Sequence, residues 1–336
     1  MNLTPVLEAF QLRAPRITPL SGGLINSTWH ITTPSGAYIL QRINHAIFKW
    51  PEKIDENISR IAEYLKKHHP DYYFISPIAA KDGHTLIHTP DGYFRLLPFV
   101  DKSVTLHTVT HPDQAYEAAE QFGKFTRLLS GFDASTLQIT IPDFHNLTLR
   151  YKQFETALEN GNAQRIEETH ATIETLKQHR WVVDDFEAIR KNPEFRIRVT
   201  HHDTKISNVL FDKNGKGICV IDLDTVMPGY FISDFGDMIR TYVSPVNEEE
   251  RDLAKIQVRE DVLDAITRGY LEFMGDELTN TEIKHIRYSG MFMVYMQALR
   301  FLTDYLNDDV YYGSRYEGHN NVRAMNQVRL LEALSG

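Results

Sequence analysis

Apolar positions in the first hundred residues alternate more than they cycle. Thr28 to Ile31 and Tyr38 to Ile43 are rich in β-branched and aromatic residues. The turn residues Pro34-Ser35-Gly36 separate them, so the two runs predict paired strands. Thr85 to His88 and Tyr93 to Val100 predict a hairpin across Thr89-Pro90-Asp91-Gly92. One helix interrupts the strands, because Ile54 to Lys67 carries apolar residues at 54, 58, 61 and 65. Beyond about residue 105 the period becomes helical. Asp113 to Leu129 is periodic at 116, 119, 122, 125/126 and 129, and Tyr151 to Gln178 predicts a second helical stretch loosened by Gly161. Further helices are predicted over roughly 249–274 and 279–307. A short β-pair, Asn208 to Phe211 with Gly217 to Ile221, turns over Asp212-Lys213-Asn214-Gly215.

This pattern predicts an α+β chain of two lobes. Residues 1–100 form the β-rich lobe and residues 101–336 the mostly helical one, joined by the strand ending at Pro98-Phe99-Val100. Two lobes hinged on one strand leave a cleft, a favoured place for a ligand. The 336 residues are 42% apolar and 24% charged, an ordinary globular mix that excludes a disordered or collagen-like chain. A formal net charge of -9 lacks the basic footprint of a nucleic-acid binder. The single cysteine, Cys219, permits neither an intrachain disulfide nor a four-cysteine zinc site, and its strand reads as core. Met1 to Pro5 lacks the pattern of an export signal. The longest apolar run, Met291 to Leu302, is interrupted by Gln297 and Arg300 and is too short to span a membrane. A cytoplasmic monomer with no nucleic-acid or membrane partner is expected.

The densest chemistry lies in His201-His202-Asp203-Thr204-Lys205-Ile206-Ser207-Asn208. An aspartate and an asparagine five apart on a loop entering a strand suit phosphoryl transfer. The aspartate accepts the acceptor hydroxyl's proton and the asparagine holds Mg²⁺. The spacing fits the protein-kinase loop H-R-D-x-x-x-x-N, with His202 standing where arginine is usual. Val220-Ile221-Asp222-Leu223-Asp224 then places a carboxylate at a strand end, where it could bind Mg²⁺ bridging nucleotide phosphates. Asp224 either joins it from the same side of the strand or solvates the turn. Asp234-Phe235-Gly236 spells the kinase metal motif but opens an apparent helix, Phe235 to Tyr242. Asp234 reads instead as a helix cap that braces the catalytic loop.

Ser21-Gly22-Gly23-Leu24-Ile25-Asn26-Ser27-Thr28 lies between two extended segments, and its glycines would let backbone amides approach phosphate. The next strand offers Arg42 as the phosphate cation, with a helix glutamate such as Glu56 as its partner. Gln41 is the competing neighbour. Lys205 either touches the γ-phosphate or is solvated, and His201 reads as a structural loop residue. Tyr311, Tyr312 and Tyr316 read as packing residues.

Together these residues resemble the aminoglycoside phosphotransferase family, which includes choline kinases and has a two-lobed protein-kinase-like fold. The run His-x-Asp-Thr-Lys-x-x-Asn-Val-Leu-Phe-Asp, then Val-Ile-Asp-Leu-Asp-Thr-Val-Met-Pro-Gly, then Asp-Phe-Gly-Asp, is similar to the N-acetylhexosamine 1-kinase branch. Leu40 to Asn44, Phe144-His145-Asn146, Arg300 to Tyr305 and His319-Asn320-Asn321 extend the likeness over nearly the whole chain. The resemblance implies ATP and Mg²⁺ as cofactors and the anomeric hydroxyl of N-acetylglucosamine or N-acetylgalactosamine as acceptor. It implies Asp203 as base, Asn208 and Asp222 as metal ligands, with Asp224 as a candidate. Ser21, Gly22, Gly23, Asn26 and Ser27 become the phosphate loop, and Arg42 with Glu56 the phosphate cation and its partner. Arg300 and Asp304, four apart on a helix, are either sugar ligands or an intrahelical ion pair. A different acceptor (choline, an aminoglycoside, homoserine or another sugar) keeps the same fold. A nucleotide-binding pseudokinase is the reading from a different class.

Overall fold

The computed structural model of the chain describes residues 1–20 and 25–336. The first lobe opens with helix α1 (Thr4–Ala9), followed by strands β1 (Arg16–Leu20), β2 (Ser27–Thr33) and β3 (Gly36–Ile43). Helix α2 (Pro51–His68) and the hairpin β4 (Leu86–Thr89) and β5 (Gly92–Pro98) complete it. The five strands form one antiparallel sheet in the order β1-β2-β3-β5-β4. Successive side chains point to opposite faces of a strand, so register decides which residues reach the cleft. Leu40 pairs with Trp29 and Leu96, and these three bury with Ile31, Phe94, Val6 and Phe10 on the outer face, under α1. Gln41 pairs with Thr28 and Arg95, and this row faces the cleft.

Helix α2 is bolted to the second lobe through Asn57, which is fully buried. Its Nδ2 donates to the carbonyls of Gln138 (2.8 Å) and Val226 (2.9 Å), and its Oδ1 accepts from the Gln138 amide at 2.7 Å. Three satisfied bonds at one buried amide fix the helix relative to the catalytic segments.

The second lobe runs through β6 (Val104–Thr105), α3 (Pro112–Leu128), α4 (Leu147–Asn160), α5 (Ala163–Glu168), α6 (His170–Gln178) and α7 (Trp181–Lys191). Then come β7 (Arg198–Thr200), β8 (Val209–Phe211), β9 (Gly217–Val220), β10 (Met227–Gly229) and α8 (Phe231–Tyr242). It ends with α9 (Glu260–Met274), α10 (Asn280–Lys284), α11 (Ile286–Leu306) and α12 (His319–Ser335). Its core is the side of α11 and α8 that buries Phe235, Met238, Phe292, Tyr295 and Leu299.

Several predicted helices end earlier than their hydrophobic period suggests. The stretch 151–178 breaks at Gly161, and Asn162 starts α5 by accepting the amides of Gln164 and Arg165. The stretch 249–274 is helical only from Glu260. Before it, the Arg259 guanidinium bonds four carbonyls (Val109, Tyr242, Val243 and Ser244) and locks an irregular segment. The stretch 279–307 splits at His285, with Thr279 and Glu282 forming a capping box on α10. Helices α1, α7 and α12 were not predicted from the periodicity. No helix among the described residues is long and apolar enough to cross a membrane.

Candidate active site

Between the lobes lies a cavity of about 950 Å³. One end is apolar, walled by Ile39, Leu97, Phe99, Ile75 and Leu210 beside the strand that joins the lobes. The other end is polar and includes Arg240, Glu248, Gln297 and Gln327. Asp203, Lys205, Asn208 and Asp222 line the same cavity.

Buried acceptors hold the loop carrying Asp203 by its backbone. Asp234 accepts the amides of His201 (2.9 Å) and His202 (2.7 Å), and Asp237 accepts the amide of Thr204 (2.9 Å). Tyr242 donates to the Thr204 carbonyl at 2.6 Å. Asp234 therefore braces the loop, but it is not the cap of its helix, which starts earlier, at Phe231. Burial pushes the Asp234 carboxyl up to about 7 although two amides favour its ionised form. The glycine of Asp-Phe-Gly serves packing, since a Cβ on Gly236 would lie 2.2 Å from the Ser289 carbonyl of α11. His202 takes a left-handed backbone (φ 66°), and a Cβ on Gly229 would lie 2.5 Å from its ring. That close approach requires glycine at the end of β10.

The Asp203 carboxylate receives Lys205 Nζ at 2.8 Å and Asn208 Nδ2 at 2.9 Å, both on Oδ2. Burial pushes this carboxyl up, but the Lys205 charge and the hydrogen bonds outweigh it and hold it below the ordinary range. Oδ1 is left for an acceptor hydroxyl. Asn208 also donates to the Asp203 carbonyl at 2.8 Å, which commits its Nδ2 and leaves its Oδ1 for a cation.

Asp222 departs from the strand geometry. Strand β9 ends at Val220, and Asp222 is left-handed (φ 61°, ψ 59°) before a short 3₁₀ turn, Leu223–Thr225. Asp222 and Asp224 therefore do not share one side of a strand. Asp222 lines the cavity between the lobes and is exposed. Its protein surroundings, with Asp224 and then Asp203 nearby, push its carboxyl up to about 7. A carboxylate whose desolvation and acidic neighbours outweigh Lys205 and Arg95, in the same cavity lining as Asn208, fits a divalent cation. A Mg²⁺ ion held by one carboxylate, one amide and nucleotide phosphates needs no full protein cage. Among the described residues no cluster of three His, Cys, Asp or Glu side chains builds such a cage.

Asp224 is already engaged. Its Oδ1 lies 2.5 Å from Arg95 Nη1, and its Oδ2 accepts from Asn26 Nδ2 at 2.7 Å. Asn26 Oδ1 in turn accepts the Asn44 amide at 3.0 Å, so Asn26 ties the first lobe to Asp224. The cation on the inner sheet face is Arg95. Arg42 points the other way, with its nearest polar partner, Ser27 Oγ, at 3.4 Å. Glu56 does not reach it and pairs with Arg60 on the exposed side of α2. Strand alternation causes this correction, because Arg42 shares the face of Leu40 and Phe94. Ser21, Gly22 and Gly23 lie outside the described residues.

Arg300 and Asp304 are not brought together as an ion pair. Asp304 accepts the backbone amides of Tyr311 (2.7 Å) and Tyr312 (2.9 Å) and Asn320 Nδ2 (3.1 Å), which anchors the turn after α11. Arg300 donates to Gln297, a cleft residue, at 2.9 Å. Sequence reasoning missed Arg95, Arg240, Glu248, Gln297 and Gln327. A charged residue in the apolar run Tyr93-Phe94-Arg95-Leu96-Leu97 was the available signal for Arg95. Cys219 is buried and its thiol is pushed up to about 12, which removes it as a nucleophile.

A model of the phosphotransferase enzyme family matches residues 16–270. Among solved structures, an aminoglycoside phosphotransferase from Alicyclobacillus acidocaldarius subsp. acidocaldarius DSM 446 is similar with a TM-score of 0.65 at 10% identity, covering 100% of this chain and 96% of its own. A spectinomycin phosphotransferase in complex with ADP and spectinomycin gives 0.65 at 13%, covering 99% and 97%. A choline kinase from Cryptosporidium parvum Iowa II gives 0.59 at 13%, covering 99% and 95%. At these identities the likeness is one of fold, two-lobed and protein-kinase-like.

Proposed function

The chain belongs to the phosphotransferase enzyme family, and on that premise we propose that it transfers the γ-phosphoryl group of ATP to the anomeric hydroxyl of an N-acetylhexosamine. The product is the sugar 1-phosphate, from N-acetylglucosamine or N-acetylgalactosamine. Residues 1–100 serve as the nucleotide lobe and residues 101–336 carry the catalytic and acceptor groups.

One observation carries the acceptor class. The neighbours above are named for an aminoglycoside, spectinomycin and choline, which carry amine or quaternary ammonium cations. An amine acceptor calls for a free carboxylate, and apart from Asp203 and Asp222 the carboxylate that lines the cavity among the described residues, Glu248, is already held, as are its neighbours in the arginine network. Asp237 and Glu248 each pair with Arg240 at 3.0 Å, Arg323 takes the other oxygen of Glu248, and Asp304 is occupied by amides. An N-acetylated amino sugar presents a neutral amide and hydroxyls, which suit guanidinium, glutamine and asparagine partners.

In this reading the adenine lies against Leu97, Phe99 and Leu210. Asn208 Oδ1 and the Asp222 carboxylate would hold Mg²⁺, which would supply charge neutralisation for the transferring phosphates. Asp203 receives the O1 hydroxyl on Oδ1 and orients it toward the γ-phosphorus, while Lys205 and Asn208 fix Oδ2. The loose transition state makes positioning and charge neutralisation weigh more than proton removal. An anomeric hydroxyl is also more acidic than an ordinary alcohol, which suits a base held below the usual range. Incubation with Mg-ATP and a sugar panel, followed by phosphorus NMR, tests the reading. A sugar 1-phosphate absent with 1-O-methyl sugars and with Asp203→Asn supports it. Turnover only with choline or an aminoglycoside sinks it.

A further inference from the structure

We propose that Gln297 selects the acceptor by donating from Nε2 to a neutral oxygen, the acetamido carbonyl, and that Arg300 is the positioning residue that sets Gln297 for this. The inference deepens the acceptor reading above and rests on it.

Gln297 belongs to the face of α11 that packs on α8. A Cβ on Gly236 of α8 would lie 3.1 Å from Met293 Cβ, and a Cβ on Gly290 of α11 would lie 2.6 Å from the Ile239 side chain. Helical spacing carries that stripe from Gly290 through Met293 to Gln297, one turn further on. There the side chain is half-buried and lines the cavity that Asp203 also lines. Its partner Arg300 adjoins the arginine network of the same wall. Arg300 and Arg323 lie over one ring, that of Tyr312, at 5.4 and 5.1 Å from its centre, and Arg323 shares Glu248 with the cavity residue Arg240.

The Arg300 contact decides which end of the carboxamide is left over. Arg300 Nη1 donates to Gln297 Oε1 at 2.9 Å. A guanidinium has no acceptor atom, so turning the carboxamide over would set donor against donor. Among the described residues Gln297 Nε2 is neither buried nor bonded to another protein group. A charged donor on Oε1 polarises the amide and makes the Nε2 hydrogens stronger donors. An acetamido group offers them a carbonyl oxygen. An ammonium group in the same place offers only N–H bonds, so donor faces donor and both go unpaired. The Arg300 charge adds repulsion against that ammonium.

The test compares kcat/KM for N-acetylglucosamine and for glucosamine, at a pH where the amine is protonated. Gln297→Leu removes the donor at similar size and should lower the preference for the acetamido sugar about tenfold, through the KM of that sugar. Gln297→Glu keeps a partner for Arg300 and presents a carboxylate to the ammonium, so it should lower the preference further. Arg300→Met should match the loss of Gln297→Leu in an otherwise native chain and cost less than about twofold in the Gln297→Leu background, because it acts through Gln297. Affinity for Mg-ADP, read by thermal shift, should stay within about twofold of wild type in each variant. Unchanged preference in both Gln297 variants overturns the proposal and leaves the reaction standing. Loss of Mg-ADP binding in both Gln297 variants, or equal losses from Arg300→Met in the two backgrounds, also overturns it, since either result makes the pair a support of the fold. Turnover of neither sugar by wild type overturns the reaction and the proposal with it.

Discussion

Replacing Arg95 with methionine strands a buried carboxylate. The Arg95 and Asp224 side chains are 4% and 2% exposed, and their ion pair spans the two lobes at 2.5 Å. Arg95 also donates twice to Gln41 Oε1, at 3.0 and 2.8 Å. After the substitution Asp224 keeps only Asn26, and Gln41 loses both donors. Removing one member of a buried pair costs about 3–5 kcal/mol, because the other charge stays desolvated. At an m-value of about 3 kcal/mol/M, this moves the urea midpoint down by about 1 to 1.7 M. Asp224→Asn should cost a similar amount by stranding the guanidinium. The double variant should cost at least about 2 kcal/mol less than the sum, since neither charge remains to be stranded. Tryptophan fluorescence reads both lobes, through Trp29 and Trp50 in the first and Trp181 in the second. A shift under about 0.3 M for either single variant, or strict additivity in the double, refutes the reasoning.

Register makes Arg42 and Gln41 a discriminating pair. Arg42→Gln should change the KM for ATP less than about twofold, whereas Gln41→Ala, on the cleft face beside Arg95, should raise it; steady-state kinetics separate the two. Asp222 is neutral below about pH 7 and ionised above it, and only the ionised form holds a cation. Binding of Mg-nucleotide should therefore release most of a proton at pH 6 and much less at pH 8, read by calorimetry in buffers of different ionisation heat. Asp222→Asn should abolish the release. Asn57→Ala removes three hydrogen bonds from a buried site and should cost about 2–4 kcal/mol in urea unfolding, with loss of activity as α2 swings from the second lobe.

Local chemistry was legible in the sequence, and long-range pairing was not. Asp203 and Asn208 are five residues apart on one loop, so their approach needs no knowledge of tertiary structure. The two lobes followed from a change of hydrophobic period. Arg42 illustrates the limit. Alternation divides a strand into two faces, but the face bearing Arg42 is the inner one only if nothing covers it. Val6 and Phe10, from a helix the period did not reveal, join the core on that face. Asp224 could join Asp222 on one side only if the strand continued, and a left-handed residue ends it there. Asp304 was assigned to a sugar or to Arg300 by helical spacing. The turn after α11, with Asp308 and Asp309 left-handed, brings backbone amides to it first. In each case the deciding partner came from a different element, where residue spacing carries no information.

The Arg95–Asp224 pair also sets the chemistry beside it. Asp224 raises the Asp222 carboxyl and Arg95 lowers it, so one ion pair both joins the lobes and adjusts the neighbouring carboxylate proposed to hold the cation. In protein kinases the equivalent closure is a lysine–glutamate pair between a strand and a helix. Here the helix is held by a neutral side chain, Asn57, and the charge pair has moved to the strand and the metal-side turn. That arrangement makes closure and proton uptake at Asp222 interdependent. Arg95→Met removes the lowering influence and leaves Asp224 in place, so the midpoint of proton release on Mg-nucleotide binding should move to higher pH. Asp224→Asn removes the larger raising influence and should move it to lower pH. If both variants lose stability as calculated and neither moves the midpoint, the pair only joins the lobes and does not govern Asp222.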